Sequence, residues 1–406
     1  MCCVYICICI ERSFLFSVFV FTRVGKFGWT RRVFLLLEHR ELFVGNLSFI
    51  VCWLFEISGG MADPRNTIAV NPDNPHPSPH PQGLADPVEL DQLEVDEFDD
   101  NWDGDSALGG MSQFSSTQSL NSSIYDHVVE NGRTYHRFKE GKYLLPNDEG
   151  EQRRLDYQHQ LYTAVLNGKF FISPIGDRLR NVLDVGTGTG IWAIEVGLDH
   201  PGAHVTGIDL SPIQPSYAPP NVTFEICDAE DEWSFRQPFD LVHMRAMVTC
   251  FKNPRAVFEE AYRSLAPGGF IELRDPILPF QFRTAPPEGC ALQEWGTKLM
   301  EAAERSGRDW GVATRYAQML GDVGFANVTE RREAIALSPW VKGSHNKQLS
   351  LLLQQDIVNM LEPVSMALFT RVLGWEARRV LEYLEAVKRD VLNTKIHAFS
   401  EGWVLS

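Results

Sequence analysis

The most constraining stretch of the chain is N-V-L-D-V-G-T-G-T-G-I-W-A-I-E-V-G-L-D-H-P-G, residues 181–202. Val182, Leu183 and Val185 form a short, β-branched apolar run of the kind that makes a buried parallel strand. Gly186, Gly188 and Gly190 follow at alternate positions, with Thr187 between the first two. Ile191, Ile194 and Leu198 then recur at helical spacing until Pro201 and Gly202 stop the helix. The glycines therefore occupy a strand-to-helix turn, where the missing Cβ permits positive φ and close approach of a ligand. The start of the following helix offers unpaired N–H groups. A dinucleotide site spaces its glycines G-x-G-x-x-G to seat a pyrophosphate. Here the third glycine comes one residue earlier, and Asp184 stands two residues before the first. A carboxylate there would repel a pyrophosphate and suits a cationic, amine-bearing ligand.

The acids that follow come in a definite order. Val205 to Ile208 predicts a second strand ending at Asp209, with Leu210 next. An α/β nucleotide site places there the acid that accepts hydrogen bonds from ribose hydroxyls. Val222 to Ile226 predicts a third strand ending in Cys227, Asp228 and Ala229, where the carboxylate can receive an adenine amine and the Ala229 N–H can face a ring nitrogen. Phe239 to His243 predicts a fourth strand, and Phe270 to Leu273 a fifth after an A-P-G-G turn. Strands alternating with helices predict a doubly wound α/β fold, with a parallel sheet and the ligand beyond the strands' C-terminal ends. Any one of these acids alone is as readily a strand-end residue or a helix cap. Their joint order is what carries weight.

Outside this body the chain changes character twice. Met1–Gly60 is apolar and holds Cys2, Cys3, Cys7, Cys9 and Cys52, five of the 8 cysteines. Its uninterrupted apolar stretches are about 10 to 15 residues, short for a spanning helix, and no small-residue cleavage site follows them. A short anchor or a pair of buried helices would account for them. The abrupt change of composition at Met61 favours a different expectation: Met61 is the initiator and residues 1–60 are an extension foreign to the working protein. Tryptic peptides from upstream of Met61 in the native protein would refute it. Residues 61–122 are Pro-punctuated and then acidic. Residues 62–123 hold twelve acidic residues against Arg65 alone, so about −11 of the formal −16 charge of the 406-residue chain lies there. That composition predicts a disordered, solvating tail; the alternative is an acidic-hydrophobic docking segment, carried by Leu90, Leu93, Val95, Phe98 and Trp102, that folds on a partner. The acidic balance argues against a nucleic-acid binder. Cys227, Cys250 and Cys290 lack C-x-x-C spacing, so neither a disulfide framework nor a metal site is expected, and the compartment is a reducing one, cytoplasmic or nuclear.

With Asp-x-Gly-x-Gly-x-Gly, then acids at the second and third strand ends, then Pro-Gly-Gly before the fifth, residues 181–275 resemble the class I S-adenosylmethionine-dependent methyltransferases. The resemblance implies a Rossmann-like sheet, mostly parallel with its last strand antiparallel, and S-adenosyl-L-methionine as cofactor. It implies that Asp184, Gly186, Thr187, Gly188 and Gly190 lie about the methionine part, Asp209 and Leu210 about the ribose, and Asp228 and Ala229 about the adenine. Residues 131–162 (N-G-R-T-Y-H-R-F and onward) and 368–375 (L-F-T-R-V-L-G-W) are similar to stretches of the fungal LaeA-like methyltransferases. The resemblance then spans most of 123–406, and implies a fungal source and a link to secondary metabolism. It also implies a helical cap inserted at about residues 340–393 over the substrate side, with 131–162 closing over the cofactor. The stripes Leu349, Leu352, Leu353, Ile357, Met360 and Val380, Leu381, Leu384, Val387, Val391 have the helical spacing such a cap needs.

Methyl transfer from a sulfonium is an in-line displacement, served by alignment and exclusion of water. A hydroxyl or amine acceptor is helped by a general base. His243, at the end of the predicted fourth strand and facing the mouth, is the candidate base; a structural histidine is the alternative. Arg245 is placed to orient the cofactor carboxylate or an acidic substrate, or else to form a salt bridge. Tyr135, Tyr143 and Arg154 are candidates to line the lid. No N-P-P-Y-type signature follows the fourth strand, which disfavours adenine or amide N-methylation. The expected function is methylation of a small-molecule acceptor in secondary metabolism. The alternative is a LaeA-like nuclear regulator acting through protein partners held by the acidic arm. With Met61 as the start, no membrane association is expected.

Overall fold

The apolar run before the glycine turn becomes an interior strand of a seven-stranded sheet. The computed structural model describes residues 4–10, 16–23, 29–31, 93 and 126–405. Met61, and the acidic arm apart from Leu93, lie outside the described residues. The chain divides into two units, Met1–His80 and Pro81–Ser406. In the first, β1 (Val4–Ile10), β2 (Phe16–Arg23) and β3 (Trp29–Arg31) pair antiparallel in that order.

The second unit begins with a hairpin of β4 (His127–Glu130) and β5 (Arg133–His136). Its turn is Asn131-Gly132, both at positive φ, the dipeptide that suits a two-residue hairpin. Helix α1 (Glu149–Val165) follows, capped by the Asp148 carboxylate, which accepts from the Glu151 N–H. The main sheet contains β6 (Asn181–Val185), β7 (His204–Asp209), β8 (Val222–Ile226), β9 (Phe239–Arg245), β10 (Leu265–Phe282), β11 (Glu330–Ala336) and β12 (Ala398–Leu405). Their order across the sheet is β8-β7-β6-β9-β10-β12-β11. β12 alone runs antiparallel, between β10 and β11. The doubly wound, Rossmann-like sheet with an antiparallel last strand is thus present. The order reverses between β6 and β9, the switch point at which open α/β sheets bind ligands.

Two strands outrun their predicted ends. β9 continues to Arg245, and β10 continues to Phe282 because β12 pairs along it after β9 has stopped. The strand cores are Val182, Leu183, Val205, Leu241 and Val242, all fully buried. Helix α2 (Ile191–Asp199) covers one face through Trp192, Ala193 and Val196. Helix α3 (Pro254–Ser264) and helix α5 (Tyr316–Val323) cover the other through Val257, Phe258, Tyr316 and Leu320.

The predicted cap forms. Helix α6 (Ser344–Ala367), a π-helical turn at Leu368–Val372 and helix α7 (Ala377–Val391) pack with helix α4 (Ala291–Arg305) and part of α1 into one apolar core. Both stripes face inward, except Leu381, which is exposed. Leu93 is buried against Ala334, Ala336, Trp340, Val341 and Phe399, beside the sheet's β11 edge. Among the described residues, no helix is long and apolar enough to cross a membrane.

Candidate active site

At the C-terminal ends of β6, β7, β8 and β9 lies a cavity of about 770 Å³, partly open to solvent. Gly186, Gly188, Asp209, Leu210, Asp228, Ala229 and Arg245 line it. The glycine turn works as its sequence requires. Gly186 and Gly188 have φ of 70° and 58°, and a Cβ on Gly186 would fall 2.3 Å from the Met247 sulfur, another wall residue.

The two acids have different surroundings. Asp209 Oδ2 accepts from the Gly188 N–H at 2.8 Å, and its Oδ1 accepts from the Ser211 N–H at 2.8 Å. Burial pushes its carboxyl up to about 6 despite those donors. Asp228 is buried too, but Lys142 and Lys139 both reach it. Burial alone would raise the Asp228 carboxyl, and the hydrogen bonds from Lys142 and Lys139 bring it below the usual range. Both lysines come from residues 137–147, which run across the cavity; Lys142, Tyr143, Pro146 and Asn147 form part of its wall. Arg245 donates to His159 Nδ1 at 3.2 Å and lies 5.0 Å from the Tyr162 ring centroid. Its guanidinium carries a cation to the cavity wall.

Four expected site residues stand behind the wall. His243 is 2% exposed and lines no cavity described here. The reason is the strand's extra length: β9 ends at Arg245, so position 243 lies one strand repeat deeper, under α2. Its ring stacks on Trp192 at 3.7 Å, and its Nδ1 donates to Asp184 Oδ1 at 2.7 Å. The expectation that His243 faces the mouth is therefore corrected. Asp184 also stays below the turn, accepting from the Thr187 hydroxyl at 2.7 Å. Asp184 and Thr187 hold the turn from beneath, and neither lines the cavity. Gly190, at φ 80°, lies against the Phe224 ring and begins α2.

A second cavity, about 750 Å³, lies between the sheet's end and the cap. It shares Tyr143 and Ala246 with the first. Leu145, Val248, Leu278, Phe280, Trp295, Leu299, Met300, Met360 and Val364 make its walls predominantly apolar. Of the lid candidates, Tyr143 and Arg154 line it, and Tyr135 does not. Ala246, at the junction, has φ 58°, a strained position for alanine of the kind that clusters at functional sites. Asp275 holds the turn in place. Its Oδ1 accepts from the Met247 N–H at 2.5 Å, and its Oδ2 accepts from the Tyr316 hydroxyl at 3.0 Å. Burial pushes the Asp275 carboxyl up to about 6. Sequence reasoning missed Lys142, Met247, Asp275 and Trp310. None belongs to a spaced motif; the one available signal was Asp275, an acid at the end of the predicted fifth strand.

A family profile described as a methyltransferase domain matches residues 157–330. Methyltransferase pytC of Aspergillus terreus is 36% identical over 294 residues, which cover 72% of this chain and 90% of that protein. The secondary metabolism regulator laeA of Aspergillus fumigatus is 33% identical, covering 72% and 79%. The protein-methionine methyltransferase laeA of Emericella nidulans is 32% identical over the same shares. The chain therefore belongs to the class I S-adenosylmethionine-dependent methyltransferases, in the LaeA-like family.

Proposed function

We propose that the chain methylates a small, predominantly apolar acceptor of fungal secondary metabolism, with S-adenosylmethionine in the first cavity and the acceptor in the second. The observation that carries this reading is the junction. Two cavities of similar size, one edged by carboxylates at strand ends and the other by aromatic and aliphatic side chains, meet at Tyr143 and Ala246. The residues present suit the cofactor. Asp209 is held by two backbone N–H groups with its carboxylate at the wall, where ribose hydroxyls would donate to it. Asp228 and Ala229 stand where the adenine edge would lie, and Arg245 is the cation for the amino-acid carboxylate. The cofactor, when bound, supplies an electrophilic methyl on sulfonium. The chain's residues orient the partners and keep water out, through the strap at 137–147 on one side and the cap on the other.

Asp184, Thr187, Gly190 and His243 are supports in this reading. His243 fixes the Asp184 carboxylate, and Asp184 fixes the turn. The regulator reading depends on the arm at residues 86–105, of which only Leu93 is described, and Leu93 is packed on the body. The acceptor-shaped cavity favours the enzyme. Two experiments test the proposal. Asp209→Ala should weaken S-adenosylhomocysteine binding by about 1.5–3 kcal/mol, the range for hydrogen bonds to a charged group, measured by calorimetry; unchanged affinity would remove Asp209 from the site. Metabolite profiling of a deletion strain should show one compound lacking one methyl. Collapse of many unrelated products would favour the regulator.

A further inference from the structure

Both carboxylate oxygens of Asp228 already have partners within the chain. Oδ1 accepts from the Glu230 N–H at 3.0 Å. Oδ2 is shared by two ammonium groups, that of Lys139, at 2.9 Å, and that of Lys142. The exocyclic amine of adenine is also a donor, but a neutral one, and an ammonium is the stronger donor to a carboxylate. Amine and ammonium therefore compete for Asp228. The two lysines are placed differently. Lys142 belongs to the wall of the first cavity and Lys139 does not. Lys139 also pairs with Asp231, which is likewise outside that wall. The ammonium on the cavity side of Asp228 is thus that of Lys142.

A second carboxylate lies within reach of Lys142. Glu230 is in the same wall, with its Oε2 at 3.2 Å from the Lys142 ammonium. That acid is fixed in place, because its Oε1 accepts from the Lys252 N–H at 3.0 Å and the Asn253 N–H at 2.6 Å. Lys142 can leave Asp228 and keep a partner for its charge. The backbone is not free to follow, since the peptide joining Lys142 to Tyr143 is held at both polar atoms. Arg308 donates to the Lys142 carbonyl, and the Tyr143 N–H donates to His136 Nε2 at 3.4 Å. Tyr143 stays at the junction of the cavities while the Lys142 side chain moves. We propose that Lys142 holds the adenine-amine position on Asp228 and yields it to the cofactor by turning to Glu230, so that this one residue sets how strongly the site selects a purine bearing an amine. This rests on the reading of Asp228 as the adenine acid. The lysine opposes an amine at that place, but it donates to a carbonyl there. Removing the ammonium should therefore shift the two kinds of purine in opposite directions. A lysine that merely packs, or that binds the cofactor elsewhere, shifts both the same way.

The test is calorimetry on the full chain with two ligands: S-adenosylhomocysteine, and S-inosylhomocysteine, in which a carbonyl replaces the adenine amine. Lys142→Met keeps an unbranched side chain and removes the charge. It should tighten S-adenosylhomocysteine about two- to tenfold, the fold-change of one net hydrogen bond. S-inosylhomocysteine should weaken by a similar factor, having lost a donor to its carbonyl. Glu230→Gln keeps an oxygen for the Lys252 and Asn253 N–H groups and takes away the second carboxylate. It should weaken S-adenosylhomocysteine about two- to tenfold, and that loss should vanish when Lys142→Met is also present. Weaker or unchanged S-adenosylhomocysteine binding by Lys142→Met, or a shift of both ligands in the same direction, would overturn the proposal. Should Lys142→Met not fold, Glu230→Gln decides, since unchanged affinity there contradicts the exchange of partners. The underlying reading fails separately: S-adenosylhomocysteine would then not bind the wild-type chain, or would bind Asp228→Ala as tightly as the wild type.

Discussion

Asp184 and His243 sit opposite each other on β6 and β9, in register, and each satisfies the other's buried polar atoms. His243→Phe keeps a flat ring against Trp192 and removes the donor to Asp184. The carboxylate then keeps the Thr187 hydroxyl as a side-chain donor, and the expected loss of stability is about 1–3 kcal/mol, read from denaturant unfolding. The pH–rate profile should keep its shape; loss of a limb in that profile would return His243 to the chemistry. Asp209 has a pH signature of its own. Burial holds its carboxyl up at about 6, above the ordinary aspartate range, and accepting from two ribose hydroxyls requires the anion. Affinity for S-adenosylhomocysteine should be flat well above that value and fall below it by up to about tenfold per pH unit. Asp209→Asn should bind more weakly and lack that slope. In the ligand-free protein the sign is reversed. A raised carboxyl contributes most to stability below its unfolded value, and that contribution disappears as pH rises through about 6.

At the level of elements, α1 and the cap are joined by a buried ion cluster. Arg154 on α1 bridges Glu151 on the same helix and Asp356 on α6. Burial raises the Glu151 and Asp356 carboxyls, while Arg154 opposes the shift in both. Asp356→Ala removes one partner and leaves a buried guanidinium short of charge, an effect typically worth about 3–5 kcal/mol. Denaturant unfolding should show a loss of that order, and a loss under 1 kcal/mol would mean that the cluster is not a clasp. Other pairs also link the entry segment to the cap: Arg133 with Glu362, and Glu130 with Arg371. One continuous stretch, 127–165, thereby ties the hairpin, the strap over Asp228 and the wall of the second cavity to the cap. Leu93 packs on the opposite flank beside β11. Leu93→Ala should cost about 2 kcal/mol or more if that contact persists in solution, again read from unfolding.

Across the whole molecule, what the sequence made legible is what depends on local geometry. The glycine turn, the acids at successive strand ends and the apolar stripes of the cap each follow from spacing, because a strand end or a helix face is set by residues near in sequence. The depth of a residue along its strand was less visible. Two further residues of β9 separate His243 from the mouth: Met244 pairs with both β6 and β10, and Arg245 with β10. The acceptor cavity was out of reach for a related reason. Trp310, Phe280 and Met360 come from three separate elements, and nothing in the order of residues shows that they meet. Asp275 likewise gains its role only when the 246–248 turn folds over it.

The claim that joins these scales is that the two cavities form one reaction path through Ala246. Its most direct measurement is a crystal structure of the full chain with S-adenosylhomocysteine. The adenine should lie beside Asp228 and Ala229, the ribose on Asp209, and the sulfur at the Tyr143–Ala246 junction, turned toward the second cavity. A ligand bound elsewhere, or a sulfur facing away from that cavity, would contradict it.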